Sequence, residues 1–342
     1  MRNQDLAYQL KTLIESGHYP PGARLPSARL LALEYQTSRL TASRALDRLE
    51  EERVVRRVPR SGSFVSDAKK PFTVGFADAC FNHPSLELAA GHLRRLILDE
   101  FRKHNCKVRM LGDRDLHDPD WLGELDLLLV AHAVDRQLRK DLEKLKIPVL
   151  CFRSETVREE LPFHQITIDL APGFGELFRQ LAPERFSRLF ILTEGHELSH
   201  LRRDMALRFA REQGFPDIEC IDTDGNDHTR FRELAKRCRG GFLFTCGDML
   251  AAGLIGTLLA EGIAVGKDVM LAGYDNLESC GYLPFGKPVI TAVGYDRATA
   301  AKAIAQLALR LMKEPESAAL RTIVSIPAHT VFRQTFTKDL NP

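Results

Sequence analysis

Leu6, Leu10, Leu13 and Ile14 recur at helical spacing between Asp5 and Ser16, and Gly17 follows as a stop. The pattern predicts a first helix. After the turn-rich HYPPGARLP, Ser27 stands as an N-cap for a helix to about Tyr35, with Leu30, Leu31 and Leu33 available to a core. Past Gln36-Thr37, the residues Ala42, Ala45, Leu46 and Leu49 form one apolar face of a third helix reaching about Glu52. VVRRV and SFV then read as strands of a small hairpin around PRSG, and three helices plus a hairpin outline a winged helix-turn-helix.

Beyond the polar, proline-ended SDAKKP the period changes. Apolar strands (FTVGFA, KVRML, LDLLLVA, IPVLCF, SRLFIL, DIECID, GGFLFTC, DVMLAGY, KPVITAV) alternate with helical stretches near 86–103 and 135–145. Such alternation predicts parallel sheets wrapped by helices, and the strands are numerous enough for two α/β lobes. The expected organisation is a winged-helix domain at 1–67, a linker at 68–71 and a two-lobed domain at 72–342. Its lobes are read as about 72–163 plus 293–320, and 164–290 plus 321–340. No internal repeat or low-complexity segment interrupts this plan.

Composition adds three restrictions. Hydrophobic residues at 44% and charged residues at 27% fit a globular chain, and no apolar run reaches the roughly 18 residues of a membrane span. The start, MRNQDLAYQL, lacks the basic, apolar and small-residue order of a secretory signal, so a cytoplasmic protein is expected. Seven scattered cysteines without C-x-x-C spacing read as reduced packing thiols. The net charge of +2 hides an asymmetry, because residues 1–70 hold 13 Lys/Arg against 8 Asp/Glu. The basic end is the candidate for a polyanion.

The third helix carries chemistry suited to DNA. Leu40, Ser43, Arg44 and Asp47 lie opposite its apolar face and Arg39 flanks them. Arginine bonds guanine as a fork, Ser and Thr reach base or phosphate, and Leu40 suits a thymine methyl. The surroundings are specific: GHYPPGARLPSARLLALEYQTSRLTASRAL (17–46), LEEERVVRR and SGSFV resemble the GntR family of bacterial transcription regulators over about residues 6–66. That resemblance implies contacts to double-stranded operator DNA by Arg29, Ser38 and Arg39, with Gly62 at the tip of a wing. Leu40, Ser43, Arg53 and Arg60 depart from the family pattern, which puts the operator sequence in question. Thr41, Arg44 and Arg60 complete the expected DNA-facing set, and Arg56 and Arg57 are further candidates for phosphate.

Residues 72–335 are similar to the periplasmic-binding-protein-like effector domain of LacI/GalR repressors. CGDMLAAGLIGTLLAEGIAVGKDVMLAGYDNLESCGYLPFGKPVITAV carries the resemblance, with weaker matches at FTVGFADACFNHP, IPVLCF, Arg202 and the helix after Tyr295. A GntR-type head on such a domain resembles the arabinose-repressor architecture. It implies a cleft lined by Phe81, Asn82, His83, Arg153, Arg202, Gly247, Asp248 and Asp275, binding a sugar or related metabolite, in a homodimeric repressor without a cofactor. A helical dimer seam is expected from 84–103. Two other readings stay open: an effector domain that meets a protein partner or no ligand at all, and a metal-dependent hydrolase. The second rests on His196-Glu197-Leu198-Ser199-His200, which matches the zinc motif H-E-x-x-H but lacks its longer extension. GIAVGKD has too few residues between its glycines for a phosphate loop, and no G-x-S-x-G elbow occurs. A non-enzymatic regulator is the expectation.

Overall fold

The computed structural model describes residues 3–52, 54–58, 61–66, 71–78, 84–112, 114–118, 122–131, 134–153, 161–223, 227–314 and 320–337. The chain divides into two compact units, Met1–Pro71 and Phe72–Pro342.

The first unit packs α1 (Asn3–Glu15), α2 (Ala28–Glu34) and α3 (Arg39–Glu51) against an antiparallel pair, β1 (Val55–Val58) and β2 (Gly62–Val65). Ala42, Ala45, Leu46 and Leu49 are fully buried with Leu6, Leu10, Leu31 and Val55, as the helical period requires. Ser27 caps α2 by accepting from Leu30 N–H at 3.3 Å. Leu30 and Leu33 do not join the core: they are 55% and 69% exposed. A seven-residue helix has fewer than two turns to set its face, and that face is fixed by Leu31 alone. The hairpin gains a third, unanticipated partner. Leu25 N–H donates to Ser63 O at 2.8 Å and Val65 N–H to Ala23 O at 2.8 Å, so the GARL loop runs along β2.

The second unit contains two six-stranded sheets. In the first, wholly parallel sheet the order is β13 (Ile323–Pro327), β7 (His164–Asp169), β6 (Val149–Arg153), β5 (Leu127–Val130), β3 (Thr73–Ala77) and β4 (Lys107–Leu111). In the second the order is β14 (His329–Val331), β12 (Thr291–Gly294), β11 (Met270–Tyr274), β10 (Phe242–Thr245), β8 (Leu189–Thr193) and β9 (Ile218–Asp222), with only β14 antiparallel. Helices α4 (Pro84–Lys103), α5 (Arg136–Leu142) and α10 (Arg297–Lys313) accompany the first sheet. The second is accompanied by α6 (Ala171–Phe178), α7 (Glu197–Glu212), α8 (His228–Ala235) and α9 (Asp248–Ala260).

This arrangement corrects the lobe boundaries read from sequence. Both His164–Asp169 and Ile323–Pro327 belong to the first sheet, and Thr291–Gly294 to the second, so the chain crosses between lobes near residues 170, 295 and 328. The reason is physical: alternation marks a strand as parallel and buried but does not say which of two sheets accepts its edge. Cysteine use also differs from uniform packing. Cys151, Cys238 and Cys246 are buried thiols, while Cys106 and Cys280 are half-buried and Cys220 is exposed. Among the described residues no helix is long and apolar enough to cross a membrane.

Candidate functional site

Two surfaces carry the chemistry, one on each unit. On the first unit, Ser38 begins α3 as its N-cap: its Oγ accepts from Thr41 N–H at 3.0 Å and shares a 2.8 Å hydrogen bond with Thr41 Oγ1. That bond fixes where α3 starts and so which side chains face outward. Leu40 is 61% exposed, Arg29, Arg39 and Arg44 are exposed, and Thr41 and Ser43 are half-buried beside them. These three guanidinium groups lie on one small unit with no carboxylate of the described residues paired to them.

Other arginines are committed elsewhere. Arg57 pairs with Asp47 of α3 and its N–H donates to Glu50 Oε1 at 3.1 Å, while Arg56 lies over the Phe64 ring at 5.9 Å. Arg57 thus braces the hairpin against α3. Gly62 has a φ of +121°, a conformation that favours glycine, and a Cβ there would press at 3.1 Å on Nε of the exposed Arg24 side chain. Arg60 and Arg53 lie outside the described residues.

On the second unit, the carboxyl ends of the adjacent strands β8, β10 and β11 converge, the place where α/β sheets hold ligands. Arg202 of α7, 3% exposed, closes them together. Its Nη2 lies 3.1 Å from Asp275 Oδ1 and its Nη1 3.2 Å from Asp275 Oδ2, a forked pair, and Nη1 also donates to Cys246 O at 2.8 Å. The guanidinium stacks 3.9 Å above the Tyr274 ring. Asp275 and Asn276 have φ of +97° and +51°, so the turn after β11 is held in a conformation non-glycine residues seldom adopt. Two arginines hold that turn: Arg297 Nη1 donates to Asp275 O at 2.8 Å and Arg333 Nη2 to Asn276 Oδ1 at 2.6 Å.

Gly247 ends β10 as the N-cap of α9 without a side chain to cap it. A Cβ there would lie 3.4 Å from Glu194 Oε2 and 3.9 Å from Asp275 Oδ2, so an absent side chain leaves room between two buried carboxylates. Glu194 went unnoticed in the sequence; its place directly after the strand SRLFILT was the signal. Asp248 is placed differently from a ligand-facing acid. It is fully buried, its Oδ2 accepts from Leu277 N–H at 2.8 Å, and its Oδ1 bonds to no described residue. Burial, and then the charge of Asp275, push its carboxyl well above the usual range. Phe81, Asn82, His83 and the Arg153 side chain lie outside the described residues.

The H-E-x-x-H stretch is used structurally. His196 is the N-cap of α7, its Nδ1 accepting from Ser199 N–H at 3.1 Å, and its Nε2 lies 3.6 Å from Glu194 Oε2. Among the described residues no three or more His, Cys, Asp or Glu side chains are grouped to hold a metal ion.

The first unit's residues 2–65 match the gntR family of bacterial regulatory proteins, and residues 178–336 match a periplasmic binding protein-like domain. The chain joins a gntR-type head to a periplasmic-binding-protein-like domain. For the gntR-type head, the uncharacterized HTH-type transcriptional regulator YcxD of Bacillus subtilis strain 168 is 35% identical over 78 residues, 21% of this chain. The matched stretch spans only 18% of that relative's length.

For the periplasmic-binding-protein-like domain, similar structures include the lac repressor dimer bound to operator and the anti-inducer ONPF. It has 16% identity and a TM-score of 0.62 over 79% of this chain and 95% of that one. A LacI family transcriptional regulator from Enterococcus faecium with bound ribose has 17% identity and a TM-score of 0.61 over 78% and 99%. A transcription regulator like protein from Staphylococcus haemolyticus has 14% and 0.63 over 79% and 100%. At these identities the likeness is one of fold: two α/β lobes of the LacI-like, periplasmic-binding-protein type.

Proposed function

We propose that the chain is a sequence-specific DNA-binding transcription regulator, a cytoplasmic homodimeric repressor controlled by a sugar or related metabolite. The observation that carries the reading is the set of exposed guanidinium groups of Arg29 on α2 and Arg39 and Arg44 on α3, paired with no carboxylate of the described residues, on a gntR-type head. Ser38, Arg39, Leu40, Thr41, Ser43 and Arg44 read the major groove, Arg29 holds phosphate, and Gly62 with Arg60 brings the wing to the duplex. Paired heads suit a near-palindromic operator.

The effector enters where β8, β10 and β11 end. The Arg202–Asp275 fork is the polar anchor for hydroxyls, Gly247 leaves room beside Glu194, and Phe81, Asn82, His83 and Arg153 are further ligand contacts on the strength of the LacI/GalR resemblance. The ligand regulates by binding the DNA-competent and DNA-incompetent states with different affinity. Similar structures support this: a lac repressor dimer is bound to operator and a LacI family regulator holds ribose.

Operator selection from a random duplex pool, followed by binding with Arg39→Ala, tests the head. A loss of about 5- to 150-fold is expected, corresponding to the ~1–3 kcal/mol of a forked base contact. Unchanged affinity would overturn the placement of α3. A thermal-shift screen of sugars, repeated with the selected duplex, tests the effector half.

A further inference from the structure

On the far side of the turn after β11 from Arg202, a cleft of about 400 Å³ lies between α4, that turn and the start of α10. Arg297 lines it and is only 4% exposed. Its Nη1 is engaged by Asp275 O, but Nε and Nη2 donate to no atom of the described residues. The carboxylate oxygen nearest to Nη2, Asp275 Oδ1, stands 4.0 Å away, and both oxygens of that carboxylate are already held by Arg202. A buried guanidinium with two open donors is costly unless something accepts them.

The rest of the lining is biased the same way. His92 Nδ1 lies 3.0 Å from Arg95 Nη2, and a guanidinium only donates, so the ring proton sits on Nε2 as a further donor. Two acceptors of the lining are engaged elsewhere. Asp296 accepts from Ala298 N–H, Thr299 N–H and Thr299 Oγ1 as the cap of α10, and Asn276 Oδ1 accepts from Arg333. Burial, then the charges of Arg95 and Arg297, hold the His92 imidazole below its usual pKa, so the ring is a neutral donor there. Open guanidinium donors beside a further imidazole N–H suit a ligand that accepts hydrogen bonds.

We propose that this cleft is a second ligand site, one that binds a small oxyanion, phosphate or carboxylate, through Arg297 Nε and Nη2 with His92 as an additional donor. The fork of Nε and Nη2 matches two oxygens of one oxyanion, which chloride cannot reproduce. The site stands whether or not the sugar reading holds, because it uses neither Arg202 nor Gly247.

The test follows Arg side-chain N–H signals of the full ¹⁵N-labelled chain during titration with inorganic phosphate and, separately, acetate, each against sodium chloride at matched ionic strength. One Arg Nε–H signal, missing in Arg297→Gln, should move saturably with at least one of the two anions. Phosphate alone would identify a phosphoryl group as the ligand chemistry, and acetate as well would extend it to carboxylates. Affinity should fall at least tenfold in Arg297→Gln and several-fold in His92→Leu. Response to neither anion, or Arg297→Gln binding like the wild type, overturns the proposal. Should Arg297→Gln not fold, His92→Leu decides: unchanged affinity there overturns it, and a several-fold loss sustains it.

Discussion

Replacing Asp275 by Ala removes one carboxylate and leaves two buried guanidinium groups facing its place. Arg202 loses both arms of its fork, at 3.1 and 3.2 Å, and keeps only Cys246 O and the Tyr274 face; Arg297 loses its 4.0 Å neighbour. Removing one partner of a buried pair costs about 3–5 kcal/mol, because the stranded charge stays desolvated. The backbone adds to this, since alanine tolerates a φ of +97° less well than aspartate. For a unit of this size each kcal/mol lowers the melting temperature by about 2–4 °C, so a drop of roughly 6–20 °C is expected. Differential scanning calorimetry should show it in the effector unit's transition alone, with that of the head unmoved. The informative comparison is the double variant Asp275→Ala/Arg202→Ala. Once both charges are gone the strand ends are no longer left with an unpaired ion, and the combined loss should fall short of the summed single losses by about 2 kcal/mol. Additive losses would mean that the fork contributes nothing as a pair, and would refute the reasoning.

Three further outcomes follow from particular residues. Ser38 caps α3 and, in the proposed function, faces DNA, and two substitutions separate the roles: Ser38→Ala should cost the head about 1 kcal/mol, whereas Ser38→Asp keeps the cap, holds the melting temperature and weakens duplex binding more. A head as destabilised by Asp as by Ala in thermal melts would contradict this. Gly62→Ala should lower the head's stability by about 1–2 kcal/mol, since it meets both a positive φ and Arg24, and urea unfolding of the 1–71 unit reads it. Asp248 is a buried acid whose folded pKa is raised, so the folded state keeps a proton that the unfolded state gives up. Its contribution to stability is full below the ordinary carboxylate pKa of about 4 and is lost as pH rises through the folded value. The melting temperature of Asp248→Asn relative to the wild type should therefore be higher at pH 8 than at pH 4, and the reverse order would refute the raised pKa.

How much was legible in the sequence depended on whether a signal was local. The apolar face of α3, the Ser27 cap and the outward Leu40 follow from spacing and capping chemistry over a few residues, and each is in place. The strands of both lobes were visible as apolar runs, but their allocation was not, because β7 and β13 find each other across more than 150 residues. The same limit governs the effector site. Arg202 and Asp275 stand 73 residues apart and were reached only through resemblance, and nothing in the sequence separated the inward-turned Asp248 from them. Glu194 and Arg297 escaped notice because a charged residue after a strand or at a helix start ordinarily faces water; here the fold buries both.

The three crossings between lobes have a consequence for how the protein is born. The first sheet needs β13 at residues 323–327 and the second needs β14 at 329–331, so neither lobe can complete its sheet until those residues are synthesised. The head needs only the first 71 residues. At elongation rates of about 5–20 residues per second, the roughly 260 residues between put the head about 13–52 s ahead of a finished sensor. During that interval a nascent chain carries a folded reading surface with no sensor to restrain it, still tethered to the ribosome translating its own message.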